Sequence, residues 1–374
     1  MRYPFKPFDV RWCYLENLRP LFSEPSPQLL AQRQSANAFL LTRDTADKAD
    51  EGAPFFFARH VCDYDCISGH ARHFPVQLKV VANVGADGEK PSQSFLDLEA
   101  TSAGSQLRPN LSPAALAYLR HAVGGHESQT GTNEALWHHV LAVGVCYAYL
   151  VENAGVLQQD WPRIPLPATR DALLASAELG RQVAALLDVE ESVDAVSSGA
   201  IRHELRPLGV LAAVSGGQLD PAAGDLALTA GWGHAGKGGV TMPGRGRVVE
   251  RSYSDDELAA FREGIADLDL SYEQLMACLG GTCYDVHLND VAYWRCVPAR
   301  VWTYTIGGYQ VMKKWLSYRE RPLLGRDLKP DEARYVTEMT RRIAALLLLE
   351  PALDENYERV KTDTYAWPGG DGRV

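Results

Sequence analysis

Short apolar runs separated by polar breaks characterise the first 110 residues. The segments "NAFLLTR" (37–43), "APFFFARHV" (53–61) and "FPVQLKVVANV" (74–84) are rich in apolar, aromatic or β-branched residues, a composition typical of strands. The polar, glycine-containing segment 85–94 predicts a surface loop. Residues 1–110 are therefore predicted to form a β-rich region, comprising an N-terminal junction and a first lobe.

Helical spacing replaces this pattern in residues 111–190. Ser112-Pro113 is a helix cap followed by proline, which is favoured at the first helical position. The mostly apolar run 133–153 predicts one long helix that is buried on several faces. Three prolines in residues 160–167 break the chain, and apolar residues recur at helical spacing from Thr169 onward.

Short strands and glycine-rich loops return in residues 191–305, a predicted β-rich glycine-loop lobe. One helix interrupts them near residue 254, where Ser254 and Glu257 have the spacing of a capping box. Residues 306–374 are predicted to be helical, with helices over 309–319 and 330–349 and a frayed tail at 368–374. Because no regular βαβ alternation occurs, the pattern predicts a two-lobed α+β chain with segregated helical bundles.

Charge and composition exclude some classes of protein. The net charge of −10 argues mildly against nucleic-acid binding, although local clusters of charge set the field at a binding face. No run reaches the roughly 18 apolar residues of a membrane span, and the N-terminus lacks the apolar core of a signal peptide. With two prolines in its first eleven residues, the chain is expected to start directly in structured protein, as a piece of a longer polypeptide would. Seven cysteines then predict free thiols in the cytoplasm.

Familiar catalytic motifs are missing from the sequence. It contains no G-x-x-x-x-G-K-[ST] phosphate loop, no H-E-x-x-H zinc helix and no G-x-S-x-G elbow. Cys62, Cys66, His70 and His73 offer possible zinc ligands at short spacing. Their arrangement matches no common zinc module, so the favoured interpretation is two half-buried thiols beside two surface histidines, with no metal.

Basic residues are concentrated in two segments of this acidic chain. Residues 295–326 contain seven cations and a single acid, Glu320. The glycine-rich segment 230–251 contains Lys237, Arg245, Arg247 and Arg251 with Glu250 as its only acid.

Helical spacing in residues 309–319 separates an apolar face from a polar one. Met312, Trp315 and Leu316 share the apolar face, while the polar face carries Gln310, Lys313, Lys314 and Ser317. Gly307-Gly308 just before this helix would let backbone N–H groups approach an anion. Two interpretations are open: a surface that meets a phosphate backbone, or a solvated lysine face after a glycine turn.

Several long motifs resemble a known family. The segments "YPFKPFDVRWCY", "DWPRIPLP", "DVHLNDVAYWRCVPARVWTYTIGGYQVMKKWLSYRE" and "ALDENY" are spread over residues 3–357. Together they resemble the C-terminal specificity region of single-polypeptide type I (type ISP) restriction–modification enzymes and of related DNA adenine methyltransferases. The resemblance extends from residue 3 to about residue 367.

This resemblance implies a target-recognition domain without its catalytic partner. Pro7, Phe8, Asp9 and Arg11 would mark the junction with a methyltransferase domain, and Asp9 with Arg11 is expected to be a structural pair. The methyltransferase motif Asn-Pro-Pro-Tyr and the glycine-rich cofactor motif do not occur in the sequence. No cofactor is therefore expected in this chain, whereas S-adenosylmethionine is implied for the missing methyltransferase domain.

The expected partners are double-stranded DNA and a methyltransferase domain or subunit, with no membrane involved. The candidate DNA contacts are Lys313, Lys314, Gln310, Arg300, Arg319, Lys237, Arg245 and Arg247. The lysines would bind phosphate, and Gln310 or an arginine could read bases; Arg319 could instead stack on Trp315. Two alternatives are a protein-interaction module that does not bind DNA alone and, ranked last, an enzyme that uses the Cys62/His70 cluster.

Overall fold

The computed structural model describes residues 1–14, 26–35, 37–46, 51–81, 105–123 and 130–367. The loop predicted at 85–94 and the tail predicted at 368–374 lie outside these residues.

The N-terminal part consists of short antiparallel strands, as predicted. The elements are β1 (Arg2–Lys6), β2 (Asp9–Trp12), α1 (Pro27–Leu30), β3 (Phe39–Thr42), β4 (Phe56–Ala58), β5 (Arg72–Pro75), β6 (Gln77–Val81) and β7 (Ser105–Pro109). β1 and β2 form a hairpin, β4-β3-β5 a three-stranded sheet, and β6 pairs with β7.

The second part is helical, also as predicted. Its elements are α2 (Pro113–Val123), α3 (Thr130–Gly144), α4 (Tyr147–Glu152), α5 (Ala154–Leu157) and α6 (Arg170–Leu187). α3 packs closely on α6, and Gly180 makes this approach possible. A Cβ at this position would lie 1.9 Å from the carbonyl oxygen of His138.

The single helix predicted over 133–153 is wrong. The helical path breaks at Cys146, whose backbone is extended with ψ 129°. Asp354 accepts hydrogen bonds from the Cys146 thiol at 3.0 Å and from the Ala148 N–H at 2.9 Å. The carboxylate of a distant helix therefore caps the start of α4, an interaction that local sequence does not reveal.

The third part contains four strands that pair in one sheet, a short hairpin and three helices. The elements are β8 (Val210–Ala213), β9 (Gly233–Ala235), β10 (Thr241–Pro243), β11 (Val248–Arg251), α7 (Asp255–Gly264), α8 (Tyr272–Leu279), β12 (Cys283–His287), β13 (Ala292–Pro298) and α9 (Ala299–Thr303), with 3₁₀ turns at His203–Leu205, Pro221–Ala223, Lys237–Gly239 and Ile265–Asp267. The antiparallel sheet has the order β11-β12-β13-β8, and β9 and β10 form the hairpin. The capping box of Ser254 and Glu257 is present at the start of α7, whereas α8 and α9 were not predicted.

The C-terminal part begins with a β-hairpin and continues as helices. Its elements are β14 (Thr305–Ile306), β15 (Tyr309–Gln310), α10 (Val311–Ser317), α11 (Arg321–Leu324), α12 (Pro330–Leu348) and α13 (Glu350–Thr362). α12 lies at the centre of the fold, where it contacts α6, α8, β8 and β13. The indole N–H of Trp294 donates to the carbonyl of Ala333 at 2.9 Å and ties α12 to the four-stranded sheet.

One main apolar core contains side chains from all four sequence regions, from Phe8 to Tyr357. The mixed α+β class is confirmed, with helices and several small antiparallel sheets. The division into two lobes and four regions remains a prediction. In the part of the chain that the structure describes, no helix is both long and apolar enough to cross a bilayer.

Candidate nucleic-acid interface

Helix α10 presents two lysines on a well-anchored scaffold. Met312, Trp315 and Leu316 are buried, as predicted for its apolar face, while Lys313 and Lys314 are half-buried on the other side. The apolar face therefore anchors the helix and fixes the backbone from which the two lysine side chains extend.

The predicted polar face is wrong at its two ends. Gln310 lies in β15, where its side-chain N–H donates to the Trp302 carbonyl at 2.5 Å. Ser317 is fully buried and donates its hydroxyl to the Lys314 carbonyl at 2.7 Å. The helix is therefore shorter than predicted, and its polar face consists mainly of Lys313 and Lys314.

The Gly307-Gly308 turn does not offer its N–H groups to an anion, contrary to the prediction. These groups donate to the carbonyls of Ala53 and Glu51 at 2.9 and 2.8 Å. Both glycines have positive φ (51° and 83°), as a two-residue hairpin requires. A Cβ at Gly307 would lie 2.4 Å from Ile67, so the turn fastens α10 to the segment 51–68.

The glycine hairpin of β9 and β10 packs against α10. A Cβ at Gly233 would lie only 2.0 Å from the Ser317 carbonyl oxygen. Lys237, Arg245 and Arg247 are exposed on and just after this hairpin. Arg247 pairs with the exposed carboxylate of Asp290 at 2.7 Å, a contact that solvent screens. The fold therefore brings the two basic segments of the sequence together.

Glu320, the single acid of the segment 295–326, points into the protein. Its carboxylate is buried and accepts the backbone N–H groups of Gly231 and Trp232 at 2.9 and 2.7 Å. This negative charge fixes the start of the glycine hairpin and contributes little to the field outside.

Two of the predicted DNA contacts are engaged within the protein. Arg300 forms a bidentate ion pair with Glu350, with N–O distances of 2.7 and 2.9 Å. Arg319 lies 3.7 Å from the centroid of the Trp315 ring and pairs with Asp9 at 2.7 Å. Their positive charges are therefore balanced internally.

Asp9 also pairs with Arg11 at 2.6 Å, which is the structural pair expected from the sequence. Although burial raises the pKa of Asp9, the guanidinium groups of Arg319 and Arg11 outweigh it and hold the pKa below its usual value. Asp9 thus joins the β1–β2 hairpin to the end of α10.

Beside α10 lies a cation–aromatic cluster, formed by Phe5, Lys6, Arg11, Tyr309, Lys314 and Tyr318. Its three cations are Lys6, Arg11 and Lys314, and any two of them lie near the same aromatic ring. Lys6 and Arg11 lie 4.9 and 4.0 Å from the Phe5 centroid. Lys6 and Lys314 lie 4.8 and 5.1 Å from the Tyr309 centroid.

Arg11 and Lys314 lie 4.7 and 4.9 Å from the Tyr318 centroid. The three cations and the three rings therefore alternate in a closed cycle. Burial lowers the pKa of Lys314, and repulsion from Lys6 and Arg11 lowers it further. Within the described residues no carboxylate lies within ion-pair distance of the Lys314 ammonium.

Sequence reasoning missed Phe5, Lys6, Tyr309 and Tyr318 as members of this site and gave Arg11 only a structural role. The signal in the sequence is the alternation of aromatic and basic residues in "YPFKPFDVRW". Nothing local shows that this segment meets residues 309–318, because about 300 positions separate the two.

The zinc alternative gains no support from the side chains. The His73 ring accepts the backbone N–H of Cys62 at 3.2 Å. His70 is exposed, stacks on Tyr64 and pairs with Asp65 at 3.0 Å. In the described residues these two histidines and the two thiols do not form a cluster of metal ligands.

Glu257, Cys283 and Cys296 do bring possible ligand atoms within 4.8 Å of one another. The Glu257 carboxylate is already bound by Arg251, with two N–O distances of 2.8 Å. The charge of this carboxylate is therefore already balanced by an arginine.

Arg300 also lines a cleft of about 390 Å³. Its lining includes the ion pair Arg300–Glu350, the buried pair Arg43–Glu51 and the exposed side chains of Tyr147 and Val151. The rim of the cleft thus carries exposed apolar and aromatic side chains, and its walls contain two ion pairs.

Comparisons with known proteins agree on the fold. DrdV, solved as a complex with DNA, aligns at a TM-score of 0.52 and 17% identity over 96% of this chain and 28% of its own. The ATP-dependent Type ISP restriction–modification enzyme LlaBIII, solved bound to DNA, aligns at a TM-score of 0.50 and 11% identity over 95% of this chain and 18% of its own. The chain therefore spans less than a third of the length of either structure. No match was found among curated proteins.

The family model of the Type ISP C-terminal specificity domain matches residues 1–346. This match covers the β1–β2 hairpin, the glycine hairpin, α10 and most of α12. The chain belongs to the Type ISP C-terminal specificity domain family.

Proposed function

We propose that this chain recognises double-stranded DNA, as the specificity part of a restriction–modification adenine methyltransferase whose catalytic part lies outside it. The supporting observation is that cations from two distant segments, Lys313 and Lys314 on α10 and Lys237 and Arg245 near the glycine hairpin, lie on adjacent elements. The single acid of the segment 295–326, Glu320, is turned inward. Such a surface attracts a phosphate backbone.

The eight predicted contacts do not contribute equally to this proposal. Lys313, Lys314, Lys237, Arg245 and Arg247 are retained as phosphate contacts. Gln310 uses one of its two side-chain N–H groups for the Trp302 carbonyl, which leaves its side-chain oxygen and one N–H for base reading. Arg300 and Arg319 act through Glu350 and Asp9, as residues that hold the surface in place.

Salt dependence of duplex binding tests the proposal. Binding of a labelled duplex should weaken steeply between about 50 and 200 mM salt, because phosphate contacts release counterions. Lys313→Ala should lower the slope of log affinity against log salt by about one unit. Arg359→Ala is the control, since Arg359 is exposed on α13 and α13 carries none of the proposed contacts. Absence of duplex binding at low salt would contradict the proposal.

A protein-interaction module is the second candidate. Trp12, the last residue of β2, is 78% exposed, and the rim of the 390 Å³ cleft exposes Tyr147 and Val151. Exposed aromatic and apolar side chains of this kind favour docking on another protein. A methyltransferase subunit is the expected partner, and docking insensitive to salt, with no duplex binding, would favour this candidate.

A further inference from the structure

We propose that Arg11 and Lys314 of the cation–aromatic cluster share one phosphate group, so that the β1–β2 hairpin forms part of the binding surface. This inference rests on the proposed function and names a phosphate site within it. The argument uses the closed alternation of three cations and three rings described above.

The cluster gathers positive charge that the protein does not fully balance. Lys6 donates to the backbone carbonyl of Asp65, an uncharged partner. The acids nearby are engaged elsewhere: Asp9 is shared by two arginines, Asp63 accepts the Tyr3 hydroxyl, and Asp65 pairs with His70. Like charges held this closely repel one another, and an anion placed between them would relieve that repulsion.

Two donors remain available to such an anion. Arg11 uses Nε and Nη2 for Asp9. In the described residues, neither Nη1 of Arg11 nor Nζ of Lys314 donates a hydrogen bond to another group. Both residues are half-buried and lie against the Tyr318 ring, whereas Lys6 is buried and contributes only its charge.

The rings hold the cations and do not offer themselves for base stacking. Each of Phe5, Tyr309 and Tyr318 already has two cations near its ring, an arrangement that stabilises a positive charge with little water around it. Phe5 and Tyr318 also pack edge to face, 5.1 Å apart. The site therefore fits an anion, and the phosphate of a nucleic-acid strand is the anion that matches the proposed function.

A double-variant experiment tests whether one phosphate is shared. Duplex binding is measured against salt for Arg11→Gln, Lys314→Gln, the double variant and the control Arg359→Gln. If one phosphate is shared, the double variant should lower the slope of log affinity against log salt by about one unit. Neither single variant should lower this slope by more than the double variant does. Two independent contacts would lower the slope by about two units, and that result would overturn the inference, as would an unchanged slope.

A second measurement separates this inference from the proposed function. Inorganic phosphate is titrated into the wild-type chain while the ¹⁵N resonance of the Lys314 ammonium is followed. A shift that is lost in Arg11→Gln supports the phosphate site even if the wild type binds no duplex, in which case the proposed function fails alone. No shift, together with a salt slope that the variants leave unchanged, overturns the phosphate site and leaves duplex binding standing. Thermal unfolding of each variant checks that it is folded.

Discussion

Arg319 and Lys314 lie five positions apart in one basic segment, yet they differ in whether a carboxylate balances their charge. Arg319 is stacked on Trp315 and paired with the buried carboxylate of Asp9. Lys314 lies between two tyrosine rings and, among the described residues, has no carboxylate partner. A count of charges along the sequence treats the two residues as equal. The charge of Lys314 is therefore available to attract a phosphate, whereas the charge of Arg319 is held by Asp9 and contributes to stability.

The largest effect that would sharpen this contrast is a loss of stability at Arg319. Arg319→Met should lower the free energy of unfolding by about 3 kcal/mol, because it removes one of the two arginines that balance the buried carboxylate of Asp9. Urea denaturation at neutral pH measures the change. Arg163→Met is the matched control, since the exposed pair Arg163–Asp160 should contribute less than about 1 kcal/mol. Equal effects at the two positions would remove the distinction between compensated and free cations.

A somewhat smaller loss is expected at Glu320, the acid that the fold turns inward. Glu320→Ala leaves the N–H groups of Gly231 and Trp232 without their acceptor, which should cost about 2 kcal/mol of stability. The change would also loosen the glycine hairpin and weaken duplex binding. Thermal unfolding and duplex binding measure the two effects, with the exposed Glu358→Ala as the control. Stronger duplex binding in Glu320→Ala would show that this carboxylate repels DNA and is not a structural acceptor.

The smallest expected effect is a pH dependence carried by Lys314. Its lowered pKa means that the folded protein keeps the positive charge below that pKa and loses it as the pH rises through it, earlier than for an ordinary lysine. The titratable and charged groups that face it are Lys6, Arg11, Tyr309 and Tyr318. Tyr309 stays neutral because burial raises its pKa to about 12, and burial likewise raises the pKa of Tyr318.

Duplex affinity should therefore fall by less than about tenfold as the pH rises from neutral into the alkaline range. Lys314→Arg should reduce this fall, since arginine keeps its charge. Lys6, whose pKa burial also lowers, accounts for the remainder. Equal alkaline losses in the wild type and Lys314→Arg would assign the pH dependence to other groups.

The elements that could be predicted from sequence are those with local signals. The capping box at Ser254, the apolar stripe of α12 and the short strands before residue 110 all follow from nearby residues. The elements that sequence reasoning missed depend on distant partners. Asp354 breaks the helix at Cys146, and the Gly307-Gly308 turn forms a hairpin because segment 51–68 accepts its N–H groups.

The candidate site divides in the same way. Lys313 and Lys314 could be identified because helical spacing places Met312, Trp315 and Leu316 opposite them. The roles of Lys6 and Arg11, and the loss of Arg300 to Glu350, could not be identified, because each depends on a contact between residues at least 50 positions apart. Local periodicity predicts which face of a helix is polar; the tertiary fold determines which charges on that face remain available.

The hydrogen bonds and close packing between the Gly307-Gly308 turn and residues 51–68 limit which segments of this protein can be exchanged. A graft that exchanges only residues 302–320 for those of a relative would set a foreign turn against the carbonyls of Glu51 and Ala53 and against Ile67, which fit the native turn. The smallest transplantable unit is therefore discontinuous in the chain: the helix must travel together with the N-terminal segment that holds its turn.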